Sequence, residues 1–522
     1  MKEAPLTAEV LPRRLPSEER APQSLFLVAA VALTLLMAWL LVIYGGPKGD
    51  LMAPVAFFVA LIAVPLILRK PIAGLYILFA AAVIVETDPL TFGISFTSSI
   101  PFFRGLNGIT GIRGLWVNPV ELIIVVTAVG WLLRDRGGDG ARLKPTPLFA
   151  PLTVFIVVVA LGLIHGLITG GNAKTALWTV RPLAYFYFAY LLTLQVLSHR
   201  RQVTVLLWIL VLGAALKGVI GWWRYYVDLG GSLKGLSHVT GMNSLMEHEE
   251  SFFYLAVMLL LAVQLVYGAP RGQRGAALLA TPLVLVPFLA NQRRAGSLAL
   301  IIAIALLCLI TISLLPSKRR LVLGMLVLSA AVLPFYVAMS WNGESLVGEP
   351  VRAIKSGISP GSRDLASNEY RDNENLNLLY TVRTSPLFGI GFGKEMVVMW
   401  PLTDVSKQFQ WYKIAPHNSI LWVMMTTGIS GFILLWYMLG STTIRTLHVA
   451  RRLPVRLDEG IAVYGLLMLA SLLVFALLDQ GLLSMRLMIF VGVLLGAVFA
   501  LPRLPGPADD GQTDDPGGEG HR

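Results

Sequence analysis

Ser385-Pro386-Leu387-Phe388-Gly389-Ile390-Gly391-Phe392-Gly393 begins the stretch around which this chain is organised. A polar passage follows, and then Pro416-His417-Asn418-Ser419 leads straight into Ile420-Leu421-Trp422-Val423-Met424-Met425 and on to Gly428-Ile429-Ser430-Gly431. A polar loop that passes into a long apolar run is the pattern of a segment entering a membrane helix. The histidine sits at that boundary, with a glycine-rich turn upstream. A titratable imidazole held where water meets lipid suits chemistry on an amphiphilic substrate.

The rest of the chain agrees with a membrane setting. It has 522 residues, of which 56% are hydrophobic and 14% charged, and its mean hydropathy is +0.71. Those values exclude a soluble multidomain protein, because apolar runs of about 17–25 residues recur along the whole length. The expected fold class is an all-α polytopic membrane protein. The net charge of +12 does not point to nucleic acid, since no basic helix or basic–aromatic block carries it. The single cysteine, Cys308, lies in an apolar run, so no disulfide framework and no cysteine-based metal site is expected. No cleavable signal peptide is visible in residues 1–24, which are polar and contain proline.

Spans are expected near 25–43, 51–68, 71–86, 119–133, 147–168, 176–197, 203–227, 251–267, 276–290, 297–315, 321–340, 418–440, 461–478 and 484–501. This divides the chain into a cytoplasmic tail (1–24), an N-terminal membrane region (25–340, about eleven helices), one large outer loop (341–417), a C-terminal membrane region (418–501, about three helices) and a disordered cytoplasmic tail (502–522). Positive charge orients these spans. Arg69-Lys70, Arg134 to Lys144, Arg200-Arg201, Arg271 and Arg274, Lys318-Arg319-Arg320, and Arg445 to Arg456 fall on alternate short segments, while the intervening short segments are nearly bare. Both termini are therefore expected in the cytoplasm. The loop 341–417 is electrically balanced and too long to be structureless in a compact protein, so a functional cap is expected. Within it, Tyr370 to Arg383 reads as a short amphipathic helix.

Charges inside or beside apolar runs single out candidate site residues. Arg293-Arg294 lies between two spans at the outer face, against the orientation signal and at a cost in insertion energy. Snorkelling to lipid headgroups is one reading. The other is a fixed guanidinium site for phosphate, which suits arginine's bidentate fork. Arg181, Lys217 and Arg224 fall in the outer halves of their spans, and together with Arg294 they predict a cationic cavity that draws an anionic ligand. His417 follows a proline, and Asn418 is placed either to cap the helix or to orient the ring. An imidazole there is a candidate general base. His238 and His248 in the shorter outer loop compete for that part. Asp372-Asn373-Glu374 is the nearest approach to an acidic metal motif and is weak, so no metal and no cofactor is expected.

The glycine-rich turn 385–393, Pro-His-Asn-Ser at 416–419 and Gly-Ile-Ser-Gly at 428–431 together resemble the signature of the O-antigen ligase and O-antigen polymerase superfamily. Arg-Ala-Gly-Ser at 294–297 looks like that family's second arginine motif, and Arg371 lies where the family places its loop arginine. The resemblance covers roughly residues 290–440, and the chain has about two more spans than is usual for the family. It implies a GT-C-type bundle of about 12–14 helices with one large periplasmic loop, in the bacterial inner membrane. It implies transfer of a glycan from an undecaprenyl-diphosphate carrier to an acceptor hydroxyl at the periplasmic face. Arg294 and Arg371 would hold the diphosphate, His417 would activate the acceptor, and Arg293, Asn418, Gly391 and Gly393 would line the substrate site. The acceptor would be lipid A core in a ligase or another lipid-linked repeat in a polymerase, with membrane lipids and polysaccharide-assembly proteins as further partners. A ligase is slightly favoured, since it needs one polyprenyl site. A lipid-linked glycan transporter is the alternative from another class. Transporters place charge near the midplane at repeat interfaces, whereas here the charges crowd the outer half and no internal repeat is found.

Overall fold

The computed structural model describes residues 52–87, 97, 100–107, 116–134, 144, 147–233, 245–343, 345–407 and 409–505. The span expected at 25–43, the tail 1–24, the tail beyond 505 and His238 lie outside them. Among the described residues the chain is all-α. The helices are α1 (Met52–Arg69), α2 (Pro71–Ile84), α3 (Pro119–Arg134), α4 (Phe149–Ile168), α5 (Ala173–Val196), α6 (Arg200–Trp223), α7 (His248–Tyr267), α8 (Arg271–Ala290), α9 (Arg294–Leu314), α10 (Pro316–Ser340), α11 (Glu349–Ile358), α12 (Ser362–Thr384), α13 (Ser419–Arg452), α14 (Arg456–Leu478) and α15 (Met485–Ala500). Each expected span among the described residues is a helix, and nine of the helices there are long and apolar enough to cross a membrane.

The middle of the bundle is formed by α7, α14 and α15. Phe252 and Phe253 of α7 meet Phe475 of α14 and Phe490 of α15 edge to face, with ring centroids 5.3 and 5.5 Å apart. Such pairs favour the positive ring edge over the negative face. The sequence Gly492-Val493-Leu494-Leu495-Gly496 lets α15 approach α5 until the backbones touch. A Cβ on Gly492 would lie 2.7 Å from the Phe186 carbonyl, and one on Gly496 2.8 Å from that of Tyr190. Small residues four apart give membrane helices this close packing without a hydrophobic driving force. By contrast α10 is exposed along nearly its whole length and buries only Val322 and Ser340.

The loop 341–417 is built rather than open. It holds α11 and α12, and then the glycine-rich turn docks against α13. Helix α13 is broken at Gly428, whose φ is +72° and ψ −169°. The break strands backbone groups that lipid could not satisfy. The turn supplies their partners: Ile390 N–H donates to Met425 O at 2.9 Å and Gly391 N–H to Thr426 O at 3.1 Å, while Ile429 N–H donates to Pro386 O at 2.8 Å. Gly428 lies nine residues past Ser419, about 14 Å along the helix at 1.5 Å per residue. The turn thus reaches well down the bundle instead of staying outside with the rest of the loop.

This docking explains the glycines and changes the sequence-based expectation for two of them. Gly391 has φ +86°, and a Cβ there would lie 2.3 Å from Gly166 Cα of α4. A Cβ on Gly393 would lie 2.6 Å from Asn172 O. Both meet backbone, so they join helices rather than line a substrate site. Gly391→Ala is expected to destabilise the chain by roughly 2–4 kcal/mol, combining left-handed strain and overpacking. A lower melting temperature of the purified protein checks this. Unchanged melting with lost donor binding would return Gly391 to the substrate site.

Candidate active site

The site forms where one end of each of α7, α9, α13 and α14 meets α12 of the loop 341–417. His417 is set immediately before α13, and Asn418 caps that helix by accepting from Leu421 N–H at 3.0 Å. Ser419 Oγ donates to Ala476 O at 2.8 Å, and Gln480 N–H donates to His417 O at 2.8 Å. The α14–α15 connection therefore fixes the histidine backbone from below.

From α12 comes the group that orients the ring. Glu374 is 1% exposed, and both of its carboxylate oxygens lie 3.2 Å from His417 Nδ1. One of them also accepts from His417 N–H at 3.0 Å. A carboxylate at Nδ1 holds the proton there and leaves Nε2 as the acceptor, the arrangement that makes an imidazole a base. Tyr370, one turn earlier, sets its ring edge-on to the imidazole with centroids 5.9 Å apart. Burial, then the Glu374 carboxylate and Tyr412, push the Tyr370 phenol above its ordinary range, so it stays protonated. Its hydroxyl is buried and has no hydrogen-bond partner among the described residues.

The same face of α12 reaches the arginines. Asp364, Asn368, Arg371 and Glu374 are spaced by four, three and three residues, which places them along one stripe. Asn368 Oδ1 accepts from Arg294 at 2.8 Å, and Asp364 forms an ion pair with the same guanidinium. Arg293 pairs with Asp479 at 3.7 Å. Burial alone would raise the Asp479 carboxyl, but the fields of His248, Arg293, Arg371 and His417 outweigh it and hold the group below the usual carboxylate range. Arg371 is half-buried and has no hydrogen bond or ion pair among the described residues. Its guanidinium is thus available to a ligand.

Three other sequence candidates are spent on structure. Lys217 is fully buried and held by Glu86 and, at 3.3 Å, by Glu250. Arg224 is fully buried and donates to Leu245 O at 3.4 Å and towards Met246 Sδ at 3.0 Å. Arg181 pairs with Glu121 at 2.7 Å and with the Trp116 carbonyl. The expected open cationic cavity is corrected accordingly: a charge taken out of water needs a fixed partner, which is a carboxylate for Lys217 and Arg181 and the Leu245 carbonyl with the Met246 sulfur for Arg224. Arg486, fully buried on α15, gathers Glu247, Glu249 and Glu250 at 3.2, 3.1 and 2.8 Å. Glu249 also accepts from Ser484, so it is engaged rather than free to act as a base.

Sequence reasoning overlooked Glu374 as a partner of histidine, and it gave no site role to Tyr370, Asp479, Asp364 or Asn368. The available signal was the three- and four-residue spacing on α12. Residues 276–436 match the family model described as O-Antigen ligase. That region belongs to the O-antigen ligase superfamily. It contains Arg293, Arg294, Arg371, Glu374 and His417, while Asp479 reaches the same cluster from outside the matched segment. The chain matches no curated protein.

Proposed function

We propose that the chain is a membrane glycosyltransferase that moves a glycan from an undecaprenyl-diphosphate carrier to an acceptor hydroxyl, as an O-antigen ligase does, at the periplasmic face of the bacterial inner membrane. The observation that carries the reading is the His417–Glu374 pair beside Arg294 and Arg371, inside the region that matches the ligase family. The basic ends of the helices, including Arg200, Arg271, Arg452 and Arg456, lie away from this site, which supports a cytoplasmic position for them.

In the proposed reaction His417 Nε2 takes the acceptor's proton as its oxygen attacks the anomeric carbon. The bond from that carbon to the diphosphate breaks, and the lipid diphosphate leaves with the electron pair. Arg294 and Arg371 stabilise the charge that gathers on the leaving group. Glu374 keeps the proton on Nδ1 and stabilises the imidazolium as it forms. Asp364 occupies the place on the Arg294 guanidinium that a phosphate would take, so donor binding exchanges one anion for another.

Arginine's fork, unlike the ammonium of lysine, can hold Asn368 and an anion together in fixed geometry. Arg294→Lys is therefore expected to lose at least about tenfold in transfer, the factor set by one lost charge-assisted bond, while the protein still accumulates in the membrane. The check is transfer from lipid-linked donor in membranes with matched protein levels. Near-normal transfer by Arg294→Lys would make this arginine a snorkelling residue and remove it from the site.

A further inference from the structure

A second feature lies on the opposite half of the bundle, near the basic helix ends. Helices α9, α13 and α14 diverge there and leave a groove of about 330 Å³. Its walls include Leu306 and Leu309 of α9, Leu439 and Leu447 of α13 and Leu469 of α14, and Arg451 stands at its basic end. Two hydroxyls also reach the groove, but each is already used within its own helix. Ser313 Oγ donates to Leu309 O at 2.8 Å and Thr443 Oγ1 to Leu439 O at 3.0 Å. Those walls therefore offer an occupant apolar contact and no free hydroxyl donor.

The one charged group is different in kind. Arg451 is exposed and has no hydrogen bond or ion pair among the described residues, and Arg452 follows it. An occupant that satisfies both parts has an apolar chain and an anionic head. The length fits a lipid of one leaflet: Leu439 to Arg451 spans about 18 Å of helix, against roughly half of a 30 Å hydrocarbon core.

We infer that this groove is a binding site for an anionic glycerophospholipid of the leaflet at the basic helix ends, with an acyl chain along Leu447 and the phosphate at Arg451. The site is separate from the His417 site and does not rest on the proposed reaction. It lies between the far halves of α13 and α14, whose other ends carry His417 and Asp479. A lipid seated there fills a gap beside the two helices that position the site from opposite sides.

Native mass spectrometry of the full chain tests this, using protein extracted in mild detergent and offered equal amounts of phosphatidylglycerol and phosphatidylcholine. The wild type is expected to retain one phosphatidylglycerol in preference to phosphatidylcholine. Arg451→Gln should lose that preference by about fivefold, the contribution of one basic residue at an anionic headgroup, and Arg451→Lys should keep it. Leu447→Trp should fill the groove and lose both lipids. If that variant fails to fold, the exposed Arg451→Gln variant decides alone. Equal retention of the two lipids by wild type, or unchanged phosphatidylglycerol retention by Arg451→Gln, would overturn the proposal. So would displacement of the lipid by a polyprenyl phosphate, which would assign the groove to the donor, or a lipid-free dimer, which would assign it to a second copy.

Discussion

His417→Ala is expected to bind lipid-linked donor as the parent does and to transfer glycan roughly 10²–10⁴-fold more slowly, the usual contribution of a positioned base. Donor binding survives because the anion sites, Arg294 and Arg371, take no support from the imidazole. What is lost is the acceptor for the hydroxyl proton, a transition-state interaction, so the effect falls on turnover and not on affinity. His417→Gln separates this from a packing role, because the amide can still bond Glu374 but cannot take a proton at the position of Nε2.

Asp479 is expected to hold the α14 side of the site to Arg293 down to low pH. Its carboxyl is depressed in the folded chain, so its tie to Arg293 is fully present above the ordinary unfolded value, about 3.9, and is lost only as pH falls through the lower folded value.

Glu374→Gln should be the second most damaging change, with transfer reduced on the order of 10²-fold or more. A glutamine oxygen can still accept from His417 N–H, which Glu374 does at 3.0 Å. Its amide can also donate to Nδ1, which drives the ring proton to Nε2 and abolishes the base. Backbone position and fold are kept while the tautomer reverses. Glu374→Asp should retain more activity than Gln, since the charge remains and only reach is shortened. A purely structural part for Glu374 predicts the opposite order, with Gln tolerated and the shorter Asp harmful. Measuring transfer and melting temperature together for the two variants distinguishes these outcomes.

The membrane helices were legible because hydropathy is a local property: an apolar run long enough to span declares itself without knowledge of its neighbours. His417 and Arg294 stood out in the sequence for a related reason, as polar groups beside apolar runs. Partners were not. Lys217 reads from sequence as a lone cation in an apolar run, yet its counter-ion Glu86 comes from 131 residues away. The same blindness hid Glu374, 43 residues from His417, whose acidic neighbours pointed instead to a weak metal motif. The glycines of the 385–393 turn were recognisable as a motif, but their reason is the broken helix at Gly428. That break is created by a φ of +72° that no spacing announces. The partners of Arg181 and Arg224 were hidden in the same way, because burial and pairing are properties of the assembled bundle.

The most direct measurement of the central claim is glycan transfer by the purified chain from an undecaprenyl-diphosphate-linked donor, comparing wild type with His417→Gln and following donor binding in parallel. With His417 as the base, the Gln variant binds donor normally and transfers almost nothing. Substantial turnover by that variant would contradict the account and turn attention to His248, the other imidazole beside Asp479.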